Sequence, residues 1–332
     1  MTIIQETISN LAVGNPQHFA NLTLFPLLSD RKVDADYLTL GEALEKEQVE
    51  ISEVSDSGSV PELLFKNGAD KDVLLLDGEG LAGAKQNRVL NITILVAAGK
   101  TIVIPVSCVE QGRWSYRSSK FRESGRVMYS QGRREKMAQV SGMMKQYGTR
   151  NADQSQIWAS VSSRAVGFDV QSPTGSMDDI YDSQAETLDR FCQAFKAEKN
   201  QAGGVFCIDG KIVGMELFDK PETFKKLSNK LVESYAMDAI ETQGQAITSN
   251  RQVADVVQFL NDTVSAKVER FDALGEGEDL RLSADSVVGG GLAAQGRLVQ
   301  LSVFRVEDSI GGSGTRRGSH VFHHHRGFRR AA

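Results

Sequence analysis

Short apolar runs separated by turn residues fill the first third of the chain. The runs are rich in β-branched residues and occur at 21–27, 37–40, 49–54, 62–66, 73–76, 88–96 and 101–109. Gly99 falls between the last two runs, so a turn there would pair them antiparallel. Six or seven short strands of this kind predict a β-rich sandwich or partial barrel.

Helical patterns replace the strand pattern in the middle of the chain. The segment 124–148 has a helix-forming composition, with apolar residues interleaved among basic ones, and predicts a basic amphipathic helix. Apolar residues at helical spacing predict two further helices, at 154–165 and 184–199. Between these two helices, 167–176 has the composition of a loop.

The last third mixes strand and helix patterns. Apolar runs at 204–208 and 211–218 flank Asp209-Gly210, which is a strong hairpin signal. Pro221 then begins a helix with an apolar stripe along one face. The remaining patterns predict a helix at 251–264, strands at 267–271, 280–288 and 291–304, and a bend or bulge at the glycines 289–291.

These patterns together predict an α+β protein. It would combine a β-rich N-terminal sandwich or partial barrel, a helical middle segment and a C-terminal part built from a hairpin and helices. The predicted units are 1–116 with the candidate site, a basic helical segment at 117–200, an α+β part at 201–308 packed with the first unit, and a tail at 309–332. The tail is rich in Gly, Arg and His without periodicity, so we expect it to be disordered.

Composition narrows the class of protein. The chain has 332 residues, 40% of them hydrophobic, which is enough to bury a sizeable core. No apolar run approaches the roughly 20 residues that cross a bilayer, and the N-terminus lacks the pattern of a secretory signal. The three cysteines form no CxxC pair, which fits reduced thiols. We therefore expect a cytoplasmic protein without a membrane partner.

Charge is segregated along the chain, although the net charge is only -5. Residues 111–150 contain ten Lys and Arg but only two acidic residues. Two interpretations of this basic segment remain open. It is either a solvated helix face or a surface for polyanions such as RNA, and the acidic balance of the whole chain does not favour nucleic acid as the main partner.

Histidine usage argues against several kinds of active site. His18 is the single histidine outside the tail, so a metal site with several histidine ligands cannot be built in the predicted globular part. A serine triad would depend on that same residue. No metal and no particular cofactor are indicated. Cys108 is best interpreted as a small hydrophobic residue in a buried strand.

Two polar stretches, 77–88 and 107–114, enclose the last two predicted strands of the first third. An antiparallel return would bring these stretches together at one end of the sheet. The first supplies cations, amides and glycine turns, and the second supplies carboxylate, guanidinium and indole groups, which together suit an anionic, ring-bearing ligand. The candidate residues are Glu79 and Glu110 for acid–base catalysis, and Lys85, Gln86, Asn87, Arg88, Gln111, Arg113 and Trp114 for ligand binding.

A purely structural interpretation of the same residues stays open. Glu110 and Arg113 could form an ion pair while Trp114 covers the core, and the glycine turn could simply face water. The short glycine motif matches neither the phosphate-loop nor the dinucleotide fingerprint. Sequence pattern alone therefore indicates a site without naming a reaction.

Four stretches resemble the domain family named for its association with ADP-ribosylglycohydrolases and rhodanese-phosphatase proteins. They are LLDGEGLAGAKQNR at 75–88, IPVSCVEQGRW at 104–114, GKIVGMELF at 210–218 and SYAMDA at 234–239. The resemblance implies a bacterial protein linked to nicotinamide-dinucleotide and ADP-ribose metabolism. It supports a nucleotide-derived small molecule, related to ADP-ribose or NAD, as the partner that the protein would bind. Processing of this molecule by the candidate glutamates Glu79 and Glu110 stays open. The alternatives are a non-catalytic protein-interaction or assembly module and RNA binding through 113–150.

Overall fold

The computed structural model describes residues 2–243 and 252–306. Within those residues the helices are α1 (Ile3–Ser9), α2 (Leu40–Glu45), α3 (Ser130–Tyr147), α4 (Gln154–Gly167), α5 (Met177–Ser183), α6 (Ala185–Ala194), α7 (Pro221–Thr242) and α8 (Val253–Ser265). The strands are β1 (Ala12–Val13), β2 (Gln17–Phe19), β3 (Leu22–Leu28), β4 (Tyr37–Thr39), β5 (Val49–Glu53), β6 (Glu62–Asn67), β7 (Asp72–Leu75), β8 (Glu79–Gly83), β9 (Arg88–Leu90), β10 (Ile94–Val96), β11 (Thr101–Cys108), β12 (Phe121–Val127), β13 (Gln201–Ile208), β14 (Lys211–Phe218), β15 (Lys267–Asp272), β16 (Glu278–Ser283), β17 (Val287–Ala294) and β18 (Arg297–Arg305).

The largest sheet has nine strands, and its central strands are buried on both faces. Its strands follow the order β1-β3-β13-β14-β18-β17-β16-β15, with β2 paired to β3. Successive side chains of a strand point to opposite faces, so Val205 of β13 packs with the residues of α1 and α8, whereas Phe206 faces α7. This double burial explains why β13 is apolar without alternation.

The candidate site lies on a second sheet of six strands. Its order is β12-β8-β9-β11-β6-β5, and all its pairings are antiparallel. The sheet curls until its two edge strands approach each other, and Lys120, one residue before β12, reaches Glu50 of β5 at 2.7 Å. A third sheet, β10-β7-β4, completes the β-structure among the described residues. The predicted α+β class, with a partly closed N-terminal sheet, is confirmed.

Several local predictions are confirmed as well. The hairpin joins β13 to β14 through Asp209-Gly210, with both residues at positive φ. The helix predicted at Pro221 runs as α7 with proline in its first turn. None of the helices in the described ranges is long and apolar enough to cross a membrane. The tail predicted at 309–332 lies outside the described residues.

Four local predictions are wrong. The predicted strands 280–288 and 291–304 are each interrupted, because β16, β17 and β18 run at 278–283, 287–294 and 297–305. The run 88–96 is not one strand, because β9 pairs with β11 while β10 pairs with β7 in a different sheet. The predicted helix at 124–148 begins only at Ser130, since 121–127 forms β12 beside β8. The glycines 289–291 form neither a bend nor a bulge and lie inside β17, whose register shift comes after them, between Leu292 and Ala293. The backbone oxygen of Gln300 is 2.5 Å from where a Cβ at Gly291 would lie.

Candidate functional site

The strand reversal brings the two polar stretches together as predicted. Cys108 of β11 lies opposite Arg88 of β9, and the N–H of Val109 donates to the carbonyl of Asn87 at 3.1 Å. The tight connection 84–87 between β8 and β9 therefore lies beside the segment 109–119 that follows β11. We refer to Lys85, Gln86, Asn87, Arg88, Glu110, Arg113 and Trp114 as the Arg88 corner.

Glu110 forms the centre of this corner and is fully buried. Its carboxylate accepts two hydrogen bonds from Arg113, at 2.9 and 2.6 Å, one from the N–H of Asn87 at 3.0 Å and one from Thr174 Oγ1 at 2.9 Å. Burial alone would raise the pKa of Glu110, but these donors outweigh it and hold the pKa below its ordinary value. A carboxylate so well satisfied is a weak base.

The hydrogen-bond donors of Arg113 are all used as well. Besides Glu110, its guanidinium donates to the carbonyls of Ala84 at 2.6 Å and Ser115 at 2.8 Å, and to Asn87 Oδ1 at 3.1 Å. The Glu110–Arg113 ion pair of the structural interpretation is therefore present. It braces the connection between β8 and β9, and it leaves Arg113 without a free donor for a phosphate.

Arg88 differs from Arg113 because most of its donors are unused. The residue is fully buried, and its Nη1 donates to Gln86 Oε1 at 3.0 Å, yet Nε and Nη2 have no hydrogen-bond partner. Burial lowers the pKa of Arg88, and the nearby Cys108, Glu53 and Glu110 oppose that effect without forming an ion pair with it. A buried cation with vacant donors is costly to a fold, so this one needs an explanation.

Aromatic side chains flank the two cations of the corner. Lys85 Nζ lies 5.3 Å from the ring centroid of Trp114 and 5.0 Å from that of Tyr116, and the Arg88 guanidinium carbon lies 5.8 Å from Trp114. Trp114 is 48% exposed and Tyr116 is 52% exposed. Trp114 therefore does not cover the core, and about half of each of these two residues is open to solvent.

The remaining predicted residues take different places. Gln86 is buried, donates to the carbonyl of Glu110 at 3.0 Å and accepts from Cys108 Sγ at 3.1 Å. Gln111 is exposed beside the corner. Glu79 lies at the opposite end of β8, roughly 13 Å from its last residue at strand spacing. There its carboxylate pairs with Lys230 of α7 at 2.9 Å.

Asp178 is a neighbour that the sequence did not reveal. Its carboxylate accepts from Asn87 Nδ2 at 2.6 Å, so the Asn87 amide links it to Arg113. Burial, reinforced by the charge of Asp182, raises the pKa of Asp178 to about 6. The sequence predicts a loop at 167–176 and no particular element at Asp178, and no local pattern indicates that 174–177 folds beside 109–112.

A second polar cluster lies beneath α3 and changes the interpretation of the basic segment. Arg133 is fully buried and pairs with Glu216 of β14 at 2.6 Å, and Tyr235 and Ser302 donate to the same carboxylate at 3.0 and 2.5 Å. Lys136, also buried, pairs with Asp77. Neither a solvated face nor a polyanion surface describes these two cations, because both point into the protein.

Fold and site together define an α+β protein whose curled antiparallel sheet carries a buried cation beneath exposed aromatic rings. The chain matches the ARG and rhodanese-phosphatase-superfamily-associated protein domain over residues 10–304, and so it belongs to that family. The family name associates these domains with ADP-ribosylglycohydrolases and rhodanese-phosphatase proteins. Searches of curated proteins and of solved structures found no match.

Proposed function

We propose that the protein binds a nucleotide-derived ligand of the ADP-ribose or NAD kind at the Arg88 corner. In this proposal Lys85 and Arg88 neutralise phosphate groups, and Trp114 stacks on a flat ring. Gln86 and Asn87 fix the orientation of the ligand indirectly, because their buried amides hold Arg88 and Arg113 in place. Gln111 offers an exposed amide at the rim of the site. Arg113 contributes by holding Glu110 and the connection between β8 and β9 in place.

The unpaired guanidinium of Arg88 carries the proposal. Buried charges in proteins are usually paired and hydrogen-bonded, because an isolated one loses its hydration without compensation. Arg88 has two vacant nitrogen donors, and Lys85 donates to neutral carbonyl groups. Against these two positive charges, Glu53 supplies one negative charge, since the charge of Glu110 is already paired with Arg113. An anionic ligand would complete both the charge balance and the hydrogen bonding.

The aromatic pair gives independent support. Exposed rings beside cations suit a ligand that joins a base to a phosphate, because each base has a face that stacks on an aromatic ring. A polar surface pocket of about 340 Å³ between α3, α4 and α7 suits such a ligand less well. Glu135 and Glu241 line it together with Arg164, and Arg164 already pairs with Glu241 at 3.1 Å.

The geometry favours binding over acid–base catalysis by the two predicted glutamates. Glu110 is ionised and satisfied by four donors, and a lowered pKa makes it a poor proton acceptor. Glu79 is paired with Lys230 at the other end of β8. If the ligand is also processed, Asp178 is the better acid or base, because its raised pKa lies close to neutral pH.

Calorimetric titration with ADP-ribose tests the proposal. We expect heat of binding with the wild type and an affinity about tenfold lower for Trp114→Ala, because stacking of one base contributes roughly 1 to 3 kcal/mol. Tyr147→Ala is the matched control, since Tyr147 is an exposed aromatic residue at the end of α3. Absence of heat with ADP-ribose and NAD, or equal affinities for Trp114→Ala and wild type, would contradict it.

A non-catalytic interaction or assembly module is the second candidate, and the density of buried ion pairs favours it. Glu110 with Arg113, and Glu216 with Arg133, are pairs that serve folding without any ligand.

RNA binding through 113–150 has less support. Lys120, Arg126 and Lys145 lie near carboxylates of Glu50, Glu233 and Glu269, in addition to the buried cations of α3. An affinity for RNA, measured by filter binding, that falls steeply with rising salt concentration would support RNA binding through this segment.

A further inference from the structure

The turn between β5 and β6 covers the two cations of the Arg88 corner. Residues 54–61 connect these strands, and the N–H of Gly58 donates to the carbonyl of Ser55 at 2.9 Å, which closes the turn. Gly58 has φ of +74°, a conformation that favours glycine. A Cβ at Gly58 would lie 3.2 Å from Lys85 Cδ and 3.4 Å from Trp114 Cζ2, so the turn packs directly on the corner.

Three hydrogen bonds hold this turn closed. Lys85 Nζ donates to the carbonyls of Asp56 and Ser57, both at 2.7 Å, and Tyr116 Oη donates to the Asp56 carbonyl at 3.3 Å. Lys85 is consequently buried, although Asp56 and Ser57 are exposed. In this closed arrangement Arg88 is sealed from solvent.

The partners of Lys85 in the closed turn are replaceable. Carbonyl oxygens are neutral, and a phosphate oxygen forms shorter and stronger hydrogen bonds with an ammonium group. Arg88 adds two vacant donors in the same corner, and the carboxylate of Glu53 offsets one of the two positive charges. A phosphate placed between Lys85 and Arg88 would therefore gain more than the turn loses.

We propose that Lys85 and Arg88 form a phosphate subsite that the turn 54–61 closes in the absence of ligand. The inference rests on the proposed function and deepens it by naming the ligand group and the movement. A phosphate or diphosphate displaces the Asp56 and Ser57 carbonyls from Lys85, the turn lifts away, and the part of the Trp114 ring beside Gly58 also becomes available for stacking. The closed turn competes with the ligand for Lys85, so weakening the turn strengthens binding.

Trp114 can report this movement. The chain has two tryptophans, so Trp158→Phe leaves Trp114 as the single tryptophan. In that background, ADP-ribose and pyrophosphate are titrated while the tryptophan emission, excited at a wavelength that tyrosine does not absorb, is recorded. Three further variants are compared: Lys85→Met, which keeps the stem but removes the charge; Tyr116→Phe, which removes one bond of the closed turn but keeps the ring; and Tyr147→Phe, a matched control outside the corner.

We expect both ligands to change Trp114 emission. Lys85→Met should weaken pyrophosphate binding by about tenfold or more, because a charge-assisted hydrogen bond is lost. Tyr116→Phe should strengthen binding about two- to fivefold, because opening costs less. Tyr147→Phe should leave the affinity unchanged.

The outcomes separate this inference from the proposed function. If ADP-ribose binds but pyrophosphate does not, or if Tyr116→Phe and Lys85→Met bind like the background, the phosphate subsite under the turn is refuted while ligand binding stands. If neither ligand binds any variant, both ideas fail. Tyr116→Phe keeps the test informative should Lys85→Met fold poorly, since the phenyl ring preserves the packing.

Discussion

Replacing Arg133 by methionine tests whether α3 anchors the fold through buried charge. Arg133 and Glu216 are both fully buried and meet at 2.6 Å. Methionine keeps much of the arginine stem but leaves the carboxylate with only its bonds from Tyr235 and Ser302. Removing one partner of a buried ion pair costs roughly 3 to 5 kcal/mol, so we expect a loss of that size in the free energy of unfolding.

Urea denaturation at neutral pH measures this loss, and Arg134→Met is the matched control. Arg134 is the next residue of the helix, half-buried, with one long hydrogen bond of 3.4 Å to the Arg305 carbonyl, so its replacement should cost less than about 1 kcal/mol. The double variant Arg133→Met with Glu216→Met should recover much of the loss, because no charge is left unpaired. Equal losses for Arg133→Met and Arg134→Met would refute the reasoning.

Two further predictions concern pH and backbone. Burial raises the pKa of Asp178 to about 6 in the fold, compared with about 3.9 in an unfolded chain. Ionisation of Asp178 therefore has no effect on stability below pH 4, destabilises the fold progressively between pH 4 and pH 6, and has its full effect above pH 6. Asp178→Asn should therefore raise stability at pH 8 and leave it unchanged at pH 3.5 in urea titrations; a gain at low pH alone would contradict this. Gly78 and Gly99 both have positive φ, but a Cβ at Gly78 would lie 2.9 Å from Arg133 Cδ while Gly99 faces open space. Thermal unfolding should show a loss of at least about 2 kcal/mol for Gly78→Ala and about 1 kcal/mol for Gly99→Ala, and equal losses would argue against the close contact.

Features set by neighbouring residues in the chain were predictable from the sequence. The Asp209-Gly210 turn and the proline start of α7 carry local signals that tertiary structure did not override. The run 88–96 carried an equally strong local signal but broke into two strands. Its break contains Asn91, which donates to the Arg150 carbonyl, and Thr93, which donates to Gln300, and neither of these distant partners is visible in a strand pattern.

A count of charged residues did not reveal that part of the basic segment 111–150 is buried. A run of Lys and Arg usually indicates a solvent-exposed surface, and the residue pattern of α3 gave no sign that Arg133 and Lys136 face inward. Their partners, Glu216 and Asp77, come from a hairpin and a turn in other parts of the chain. The ion pairs with these distant carboxylates make the burial of Arg133 and Lys136 possible.

The candidate site was predictable in part for a similar reason. Strand reversal follows from local turn chemistry, so the approach of 77–88 to 107–114 could be inferred and is confirmed by the pairing of β9 with β11. Thr174 and Asp178 join the corner from a loop and a short helix without any sequence signal. Glu79 was placed in the site because it is close to Lys85 in sequence, but β8 carries it to the far end.

Arg88→Met is the most direct measurement on the central claim, because it separates a ligand-binding cation from a structural one. Two nitrogen atoms of Arg88 lack partners, so methionine should leave the free energy of unfolding within about 1 kcal/mol of wild type or raise it. The affinity for ADP-ribose, measured by calorimetry on the same preparation, should fall at least about tenfold. A variant that unfolds far more easily yet binds ADP-ribose as tightly as wild type would show that Arg88 serves the fold and that the ligand lies elsewhere.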